Sequence, residues 1–288
     1  MTLEQLRIFI AVAELEHVTR AAAALNLTQS ATSAAIAALE ARHGAKLFDR
    51  VGRRIALTPA GRAFLPAARA VLAEAASAEA VLADLTGLAR GRLSVAASQT
   101  VASYWLPPIL LRYRARHPGI VVEVGVGNTE AVAARLREGL ADIGIVEGAV
   151  DDSALIGRPV ASDDMVLVAA IGFDGPDDPR HLPWILRERG SGTRAALEAA
   201  LARRGLSIAD LDVRLVLPTN EAVRTAVEAG GGVAVLSRAV VAGCLDGGSL
   251  RALPFDLPGR DFLMLRHRQR KPSHAAEALF ALIDAQVP

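Results

Sequence analysis

Apolar residues fall into two regimes along this chain, helical spacing up to about residue 87 and short apolar runs after it. Leu3, Leu6, Phe9, Ile10 and Ala13 mark a first amphipathic segment, and Val18, Ala21, Ala22 and Leu25 mark a second. Asn26 tolerates a tight left-handed turn, so the second helix ends there. Thr28 is placed as the N-cap of a third helix outlined by Ala31, Ala34, Ala35, Ala38 and Leu39, and Gly44 closes it. Leu47 and Phe48 then anchor an extended segment with Arg50, Arg53 and Arg54 around Gly52 at its tip. Thr58 as N-cap and Pro59 at the first helical position open a long helix that meets no obvious stop before Gly87. Within it Phe64, Val71, Ala78 and Leu85 recur every seven residues, with Ala68, Ala75 and Leu82 between them. The stripe reads as a dimerisation face; packing on the rest of its own chain is the alternative. Pro66 lies near enough to the start of this helix for its missing donor to cost little.

The second regime predicts strands at 92–98, 120–126 and 141–147, separated by helices at 104–117 and 129–138. A strand at 165–171, a helix at about 192–204, a strand at 213–218, a helix from 220 and a strand at 232–237 follow. A strand at 262–267 and a helix at 274–285 close the chain. Strands alternating with helices predict parallel sheet, here in two lobes with the chain crossing near Ser162 and returning near Asp261. The expected fold class is therefore α/β with an all-α N-terminal part. Its divisions are a winged helix-turn-helix at 1–58, a linker helix at 59–88 and a two-lobed domain at 89–288, with lobe I at 92–161 and 262–288 and lobe II at 162–261.

Thr28, Gln29, Ser30, Thr32 and Ser33 stand at the start of the third helix, where a recognition helix presents side chains to base edges in the major groove. Arg50, Arg53 and Arg54 would rest against phosphates. An alanine-rich helical pair with a solvated arginine loop is the plain alternative. Charge favours double-stranded DNA: the whole chain carries only +1, yet residues 1–62 hold eight basic against five acidic side chains.

Two facing α/β lobes bind ligands in the crevice at the C-terminal ends of their strands. Those ends carry Ser98, Gln99 and Thr100, then Asn128 and Thr129, then Gly148. The other lobe offers Ser191, Gly192 and Thr193, and Thr219 with Asn220. Four of these clusters start helices, so free backbone N–H groups and positive dipole ends converge on one space and favour a small anion. Simple capping explains each cluster equally well when taken alone. Arg189 and Arg194 flank the SGT turn and read as solvated or as reinforcement of the anion site.

Several classes are disfavoured by what is missing. No GK[ST] phosphate loop, HExxH pair or GxSxG elbow is present, and GVGNTE lacks the third glycine of a dinucleotide fingerprint. An enzyme using the two-lobed domain therefore ranks second, as does a pure small-molecule binding protein, which would need export. Cys244 is the single cysteine and reads as a small core residue. Neither a signal peptide nor a membrane-spanning run is expected, so the chain is placed in the cytoplasm.

The runs AAAALNLTQSATSAAIAALE, GAKLFDR and LTPAGRAFLPAA closely resemble the N-terminal domain of LysR-type transcriptional regulators, and the two-lobed pattern extends the resemblance over nearly the whole chain. The resemblance implies a non-enzymatic transcription factor that contacts DNA through Gln29, Ser30, Thr32, Ser33 and the wing arginines. It also implies pairing through the long helix into dimers or tetramers, and RNA polymerase as a further partner. Many members carry a long polar residue after the serine, where Ala34 and Ala35 stand here. The RERGSGTR and ASQTVASYWLPP segments are similar to the subgroup linked to sulfur assimilation and carbon fixation. That likeness implies an effector such as sulfite, sulfate or another small anion, or, as suits the carbon-fixation members, a phosphorylated metabolite or reduced nicotinamide dinucleotide; no resident cofactor or metal is expected.

Overall fold

A computed structural model describes residues 1–51, 54–84 and 91–285. The chain divides into two compact units. The first contains α1 (Leu3–Leu15), α2 (Val18–Ala24), α3 (Gln29–His43), the hairpin β1 (Phe48–Val51) and β2 (Arg54–Leu57), and α4 (Pro59–Asp84). A reciprocal capping box between Thr2 and Gln5 starts α1. Asn26 takes a left-handed φ of 56°, which makes the turn between α2 and α3 tight. Leu6, Phe9, Val12, Ala21, Ile36, Leu39, Leu47 and Phe48 form the core, with the Phe9 ring 5.4 Å from Phe48 and 5.1 Å from Phe64.

Two expectations for these helices need correction. The buried face of α3 is Thr32, Ile36 and Leu39 with Ala35 beside them, whereas Ala31, Ala34 and Ala38 are exposed. Alanine is small enough to sit on either face, so its spacing misjudged the stripe by about a third of a turn. In α4, Ala68 is buried and Phe64 packs into the same core, so the first part of the seven-residue stripe is used within the unit. Val71 and Ala78 remain exposed; Leu85 lies outside the described residues, as does the side chain of Leu82.

The second unit holds two five-stranded sheets. Sheet I has the order β4-β3-β5-β12-β6, from β3 (Gly91–Ser98), β4 (Ile120–Gly127), β5 (Ile143–Glu147), β6 (Leu155–Asp163) and β12 (Arg260–His267). Sheet II has the order β11-β7-β10-β8-β9, from β7 (Met165–Ala170), β8 (Pro183–Arg187), β9 (Asp212–Leu217), β10 (Val233–Ser237) and β11 (Leu250–Leu253). Both sheets are mixed rather than parallel. In sheet I β12 runs antiparallel to β5 and β6, and in sheet II β7 runs antiparallel to β10 and β11. The reason is the double crossing: β6 hands the chain to β7 at Asp163 and Asp164, and the segment after β11 returns it to β12. A chain that leaves a sheet and comes back inserts its returning strand against the direction of the others.

The helices are α5 (Leu106–Arg116), entered through a π-helical turn (Val101–Trp105), α6 (Thr129–Arg137), α7 (Gly192–Ala202), α8 (Asn220–Glu228), α9 (Arg238–Asp246) and α10 (His274–Asp284). Lobe I packs Leu93, Val95, Tyr113, Ile120, Phe262 and Leu279 on one sheet face and Val132, Leu136 and Leu265 on the other. Lobe II does the same with Leu167, Trp184 and Leu197 against one face, and Val168, Val223 and Val241 against the other. Cys244 is half-buried against the latter cluster. Pro159 lies in β6, which is the edge strand of its sheet and so can spare the N–H.

Candidate DNA interface and ligand cleft

The start of α3 stands free of the core. Thr28 caps it, its hydroxyl accepting from Ala31 N at 3.2 Å, and Thr28, Gln29, Ser30 and Ser33 are exposed on one face. Thr32 is not on that face: it is 0% exposed and its hydroxyl donates to the Thr28 carbonyl at 3.1 Å. Its place at i+4 from the N-cap turns it inward, which removes it from any base. Arg50 is exposed on β1; Arg53 lies outside the described residues, as does the side chain of Arg54. Glu40 fixes the hairpin relative to α3, since its Oε1 accepts from Leu47 N at 2.7 Å and Phe48 N at 3.1 Å. Helix and hairpin are therefore held as one rigid surface. Arg50→Ala is expected to weaken DNA binding to all sequences alike and to lower the slope of log affinity against log salt by about one. Fluorescence anisotropy over a salt series measures this.

Between the lobes of the second unit, strand ends and helix starts meet. Gln99 bridges to lobe II twice, its Nε2 donating to the Pro218 carbonyl and its Oε1 accepting from Asn220 N, both at 3.0 Å. Asn220 donates from Nδ2 to Thr100 Oγ1 at 3.0 Å and accepts from Arg187 through its Oδ1. Arg187 is 4% exposed and pairs through Nε and Nη2 with both oxygens of Glu188, at 2.8 and 2.9 Å. Burial alone would push the Glu188 carboxyl up, but the Arg187 hydrogen bonds and charge outweigh it and leave it below the usual range. Tyr104 leans on Glu221 from across the cleft, and burial followed by that carboxylate raises its hydroxyl.

On the opposite side Asn128 caps α6, accepting from Ala131 N at 2.9 Å, and its Nδ2 donates to Glu188 at 3.2 Å and to the Arg189 carbonyl at 3.3 Å. Thr129 donates to the Glu147 carbonyl at 3.2 Å. Gly192 packs so tightly there that a Cβ would sit 2.6 Å from that carbonyl oxygen and 3.0 Å from Thr129 Oγ1. Gly148 follows β5 at a φ of 75°, half-buried. Ser191 caps α7 through Thr193 N at 3.2 Å, and Thr219 caps α8 through Ala222 N at 3.0 Å. Arg189 is exposed, while Arg194 pairs with Glu198 at 2.9 Å.

Asn128, Ser191 and Thr219 thus have their hydrogen bonds met by capping. Ser98 does not: it is 1% exposed at the end of β3, and its hydroxyl has no partner. A buried orphan hydroxyl costs about 1–3 kcal/mol unless something completes it.

Sequence reasoning missed a second group, which lies where the chain crosses between lobes. Arg260 on β12 donates from Nε to Asp163 Oδ2 at 2.8 Å and from Nη1 to Thr193 Oγ1 at 3.3 Å. Ser237 donates to Asp163 Oδ1 at 2.6 Å, and Glu147 lies 4.0 Å from Arg260 Nη2. Arg260, Asp163 and Glu147 are each less than a tenth exposed. The signal was faint, because single charged residues read as solvated until sheet register, which pairs Arg260 with Asp163 and Phe262 with Glu147, brings them together.

A winged helix-turn-helix joined to a two-lobed domain with polar groups converging between its lobes defines a DNA-binding regulator that carries its own small-molecule receptor. Residues 3–62 match the bacterial regulatory helix-turn-helix protein, lysR family, and residues 86–288 match the LysR substrate binding domain. The chain belongs to the LysR family of transcriptional regulators. It is 35% identical to the HTH-type transcriptional regulator YeiE of Escherichia coli K12 over 100% of this chain and 99% of that one. It is 34% identical to a RuBisCO operon transcriptional regulator of Acidithiobacillus ferrooxidans, over 88% and 82%. Full-length CbnR solved with its target DNA superposes with a TM-score of 0.68 at 21% identity, covering 100% of this chain and 99% of that one. The regulatory domain of Synechocystis PCC6803 CcmR, solved in complex with 2-PG, superposes with a TM-score of 0.62 at 25% identity over 69% of this chain and 98% of that one. No helix among the described residues is long and apolar enough to cross a membrane.

Proposed function

We propose that this LysR-type regulator is controlled by a small oxyanion bound between lobes I and II. The observation that carries this reading is the buried, unpartnered hydroxyl of Ser98, at the end of β3, just before the π-helical turn that leads into α5 and paired with the end of β4 that precedes α6. Gln99, Thr100, Thr129, Gly148, Gly192, Thr193 and Asn220 form the surrounding walls, and Asn128, Ser191 and Thr219 fix the helix starts. The oxyanion class rests on these N–H groups and on the subgroup resemblance, with sulfite and sulfate as the first members to try. CcmR with 2-PG supports small-molecule occupancy of such a domain.

In this reading Thr28, Gln29, Ser30 and Ser33 face the bases or nearby phosphates, and Arg50, Arg53 and Arg54 face the backbone. Subunits pair along α4, for which the exposed Val71 and Ala78 remain available. The divisions 1–58, 59–88 and 89–288 follow, with the chain crossing between lobes near Ser162, at the end of β6, and returning near Asp261. Such a protein works in the cytoplasm, where DNA and RNA polymerase are, and is not an enzyme. An effector that binds one lobe arrangement better than another would shift its population and so the spacing of paired DNA-binding units.

The test is thermal unfolding of the full chain with sulfite, sulfate, phosphate, thiosulfate, small carboxylates and sugar phosphates. A ligand at one hundred times its Kd stabilises by about 2.7 kcal/mol. No shift with any of them overturns the oxyanion reading. Ser98→Ala is expected to weaken binding of the active ligand about tenfold or more, the worth of one hydrogen bond to a charged group, while DNA affinity without ligand stays unchanged.

A further inference from the structure

Two of the places where lobe II meets lobe I are tied through the same side chain. At one, Gln99 after β3 donates to the Pro218 carbonyl and accepts from Asn220 N, and Thr100 accepts from Asn220 Nδ2, each at 3.0 Å. At the other, Asn128 after β4 donates to Glu188 at 3.2 Å, and the Glu130 N–H donates to the Gly190 carbonyl at 3.3 Å. Arg187 stands between them. It ends β8, and alternation along that strand, with Trp184 and Leu186 on the α7 face and Ile185 on the α8 face, turns it toward the start of α8. Its Nη1 donates to Asn220 Oδ1, while Nε and Nη2 hold both oxygens of Glu188 at 2.8 and 2.9 Å. A planar fork of donors can serve a carboxylate and an amide oxygen at once. With Oδ1 held by Arg187, the Asn220 amide presents Nδ2 to Thr100. With both of its oxygens held, the Glu188 carboxylate stays at Asn128 instead of turning to the solvent that reaches it.

We infer that Arg187 is a positioning residue for the effector cleft: acting through Asn220 and Glu188 rather than on the ligand, it holds lobe II against lobe I on both sides, so that the effector meets walls already assembled. The inference rests on this cleft being the effector site and not on the ligand being an oxyanion. Without the fork, the ligand itself has to draw the lobes together, and its apparent affinity falls in proportion to the fraction of chains that remain assembled.

Hydrogen exchange of the full chain without added ligand, resolved to single amides, reads the tie directly. Asn220 and Glu130 lie in the first turns of α8 and α6, where N–H groups have no partner within the helix, so their protection comes from Gln99 and Gly190 across the cleft. In Arg187→Met, which keeps an apolar stem and removes the fork, both amides should exchange about tenfold faster or more. Val223 and Val132, whose amides bond within their own helices to Thr219 and Asn128, should keep their wild-type rates. Arg187→Lys retains the charge without the fork and should be nearly as fast as Arg187→Met. Thr100→Val leaves the guanidinium in place and should speed Asn220 but not Glu130, which keeps the test open should Arg187→Met fail to fold. Whichever of sodium sulfite, sulfate and phosphate binds wild type should bind Arg187→Met about tenfold more weakly by calorimetry. Wild-type rates at Asn220 and Glu130 in Arg187→Met, full protection in Arg187→Lys, or an unmoved Asn220 in Thr100→Val overturns the inference. So does acceleration of Val223 and Val132 alongside them, which marks general loosening. Unchanged affinity beside faster exchange overturns the positioning role and leaves only a tie between lobes. Silence of all three anions counts against the oxyanion reading alone, and the exchange rates still decide on Arg187.

Discussion

Asp163→Ala should destabilise the two-lobed domain by about 3–5 kcal/mol, enough to erase much of the stability of a typical domain. Asp163 ends β6 and receives the Arg260 guanidinium at 2.6 and 2.8 Å and the Ser237 hydroxyl at 2.6 Å. Removing the carboxylate leaves a guanidinium with a side chain only 5% exposed. Its nearest remaining anion is Glu147 at 4.0 Å, too far for a good hydrogen bond. The penalty is that of a buried charge stripped of its partner, which exceeds the net worth of the pair itself. Both tryptophans, Trp105 and Trp184, belong to this domain, so tryptophan fluorescence in a urea titration follows its unfolding alone. A loss below about 1 kcal/mol would mean that water reaches the guanidinium and that the network is not a structural tie.

The same network shows why some of the structure was legible in the sequence and some was not. Local signals were faithful: Asn26 and Gly44 adopt the left-handed turns expected of them, and Thr28 caps α3. Apolar runs bounded by polar turns located β3, β4, β5, β7, β9, β10 and β12. The strands β6, β8 and β11 went unread. In β6, Gly157 and Pro159 interrupt the apolar pattern, and only its edge position makes the proline tolerable. PWILR and LRAL are too short to carry a period, and the helix RAVVAGCLD has a glycine in its interior. Ser98 could be named because it stands at the end of a clear strand before a helix. Glu147, Asp163 and Arg260 could not, because their partners lie tens of residues away and are set by strand order, and the pairing of Arg187 with neighbouring Glu188 gives no sign that Asn220, far along the chain, completes it in the fold. Direction follows the same rule: alternation of strands and helices suggests parallel pairing, and nothing local says that β12 comes home reversed.

Gly192→Ala is expected to weaken effector binding by about tenfold to a hundredfold while leaving each lobe folded. Gly192 opens α7, and a methyl group there would lie 2.6 Å from the Glu147 carbonyl oxygen and 2.9 Å from Glu147 Cβ. The first obstacle is backbone, which cannot rotate away as a side-chain tip could. Gly192 is not among the positive-φ glycines, so alanine brings no conformational strain and its cost falls on this contact alone. Relief requires α7 to back away from β5, separating lobe II from lobe I; overpacking of this kind costs about 1–3 kcal/mol. A ligand can draw on only its differential affinity for the two arrangements, so a handicap on the closed one appears directly as lost affinity. Gly243→Ala in α9, where the new methyl meets nothing within 4 Å, is the control and should be neutral or slightly stabilising. Titration of the active ligand into both variants, with DNA affinity measured beside it, separates the outcomes. If Gly192→Ala binds effector as tightly as wild type, the lobes need not touch at this glycine in the liganded state, and the cleft is gripped from the Gln99 and Asn220 side alone.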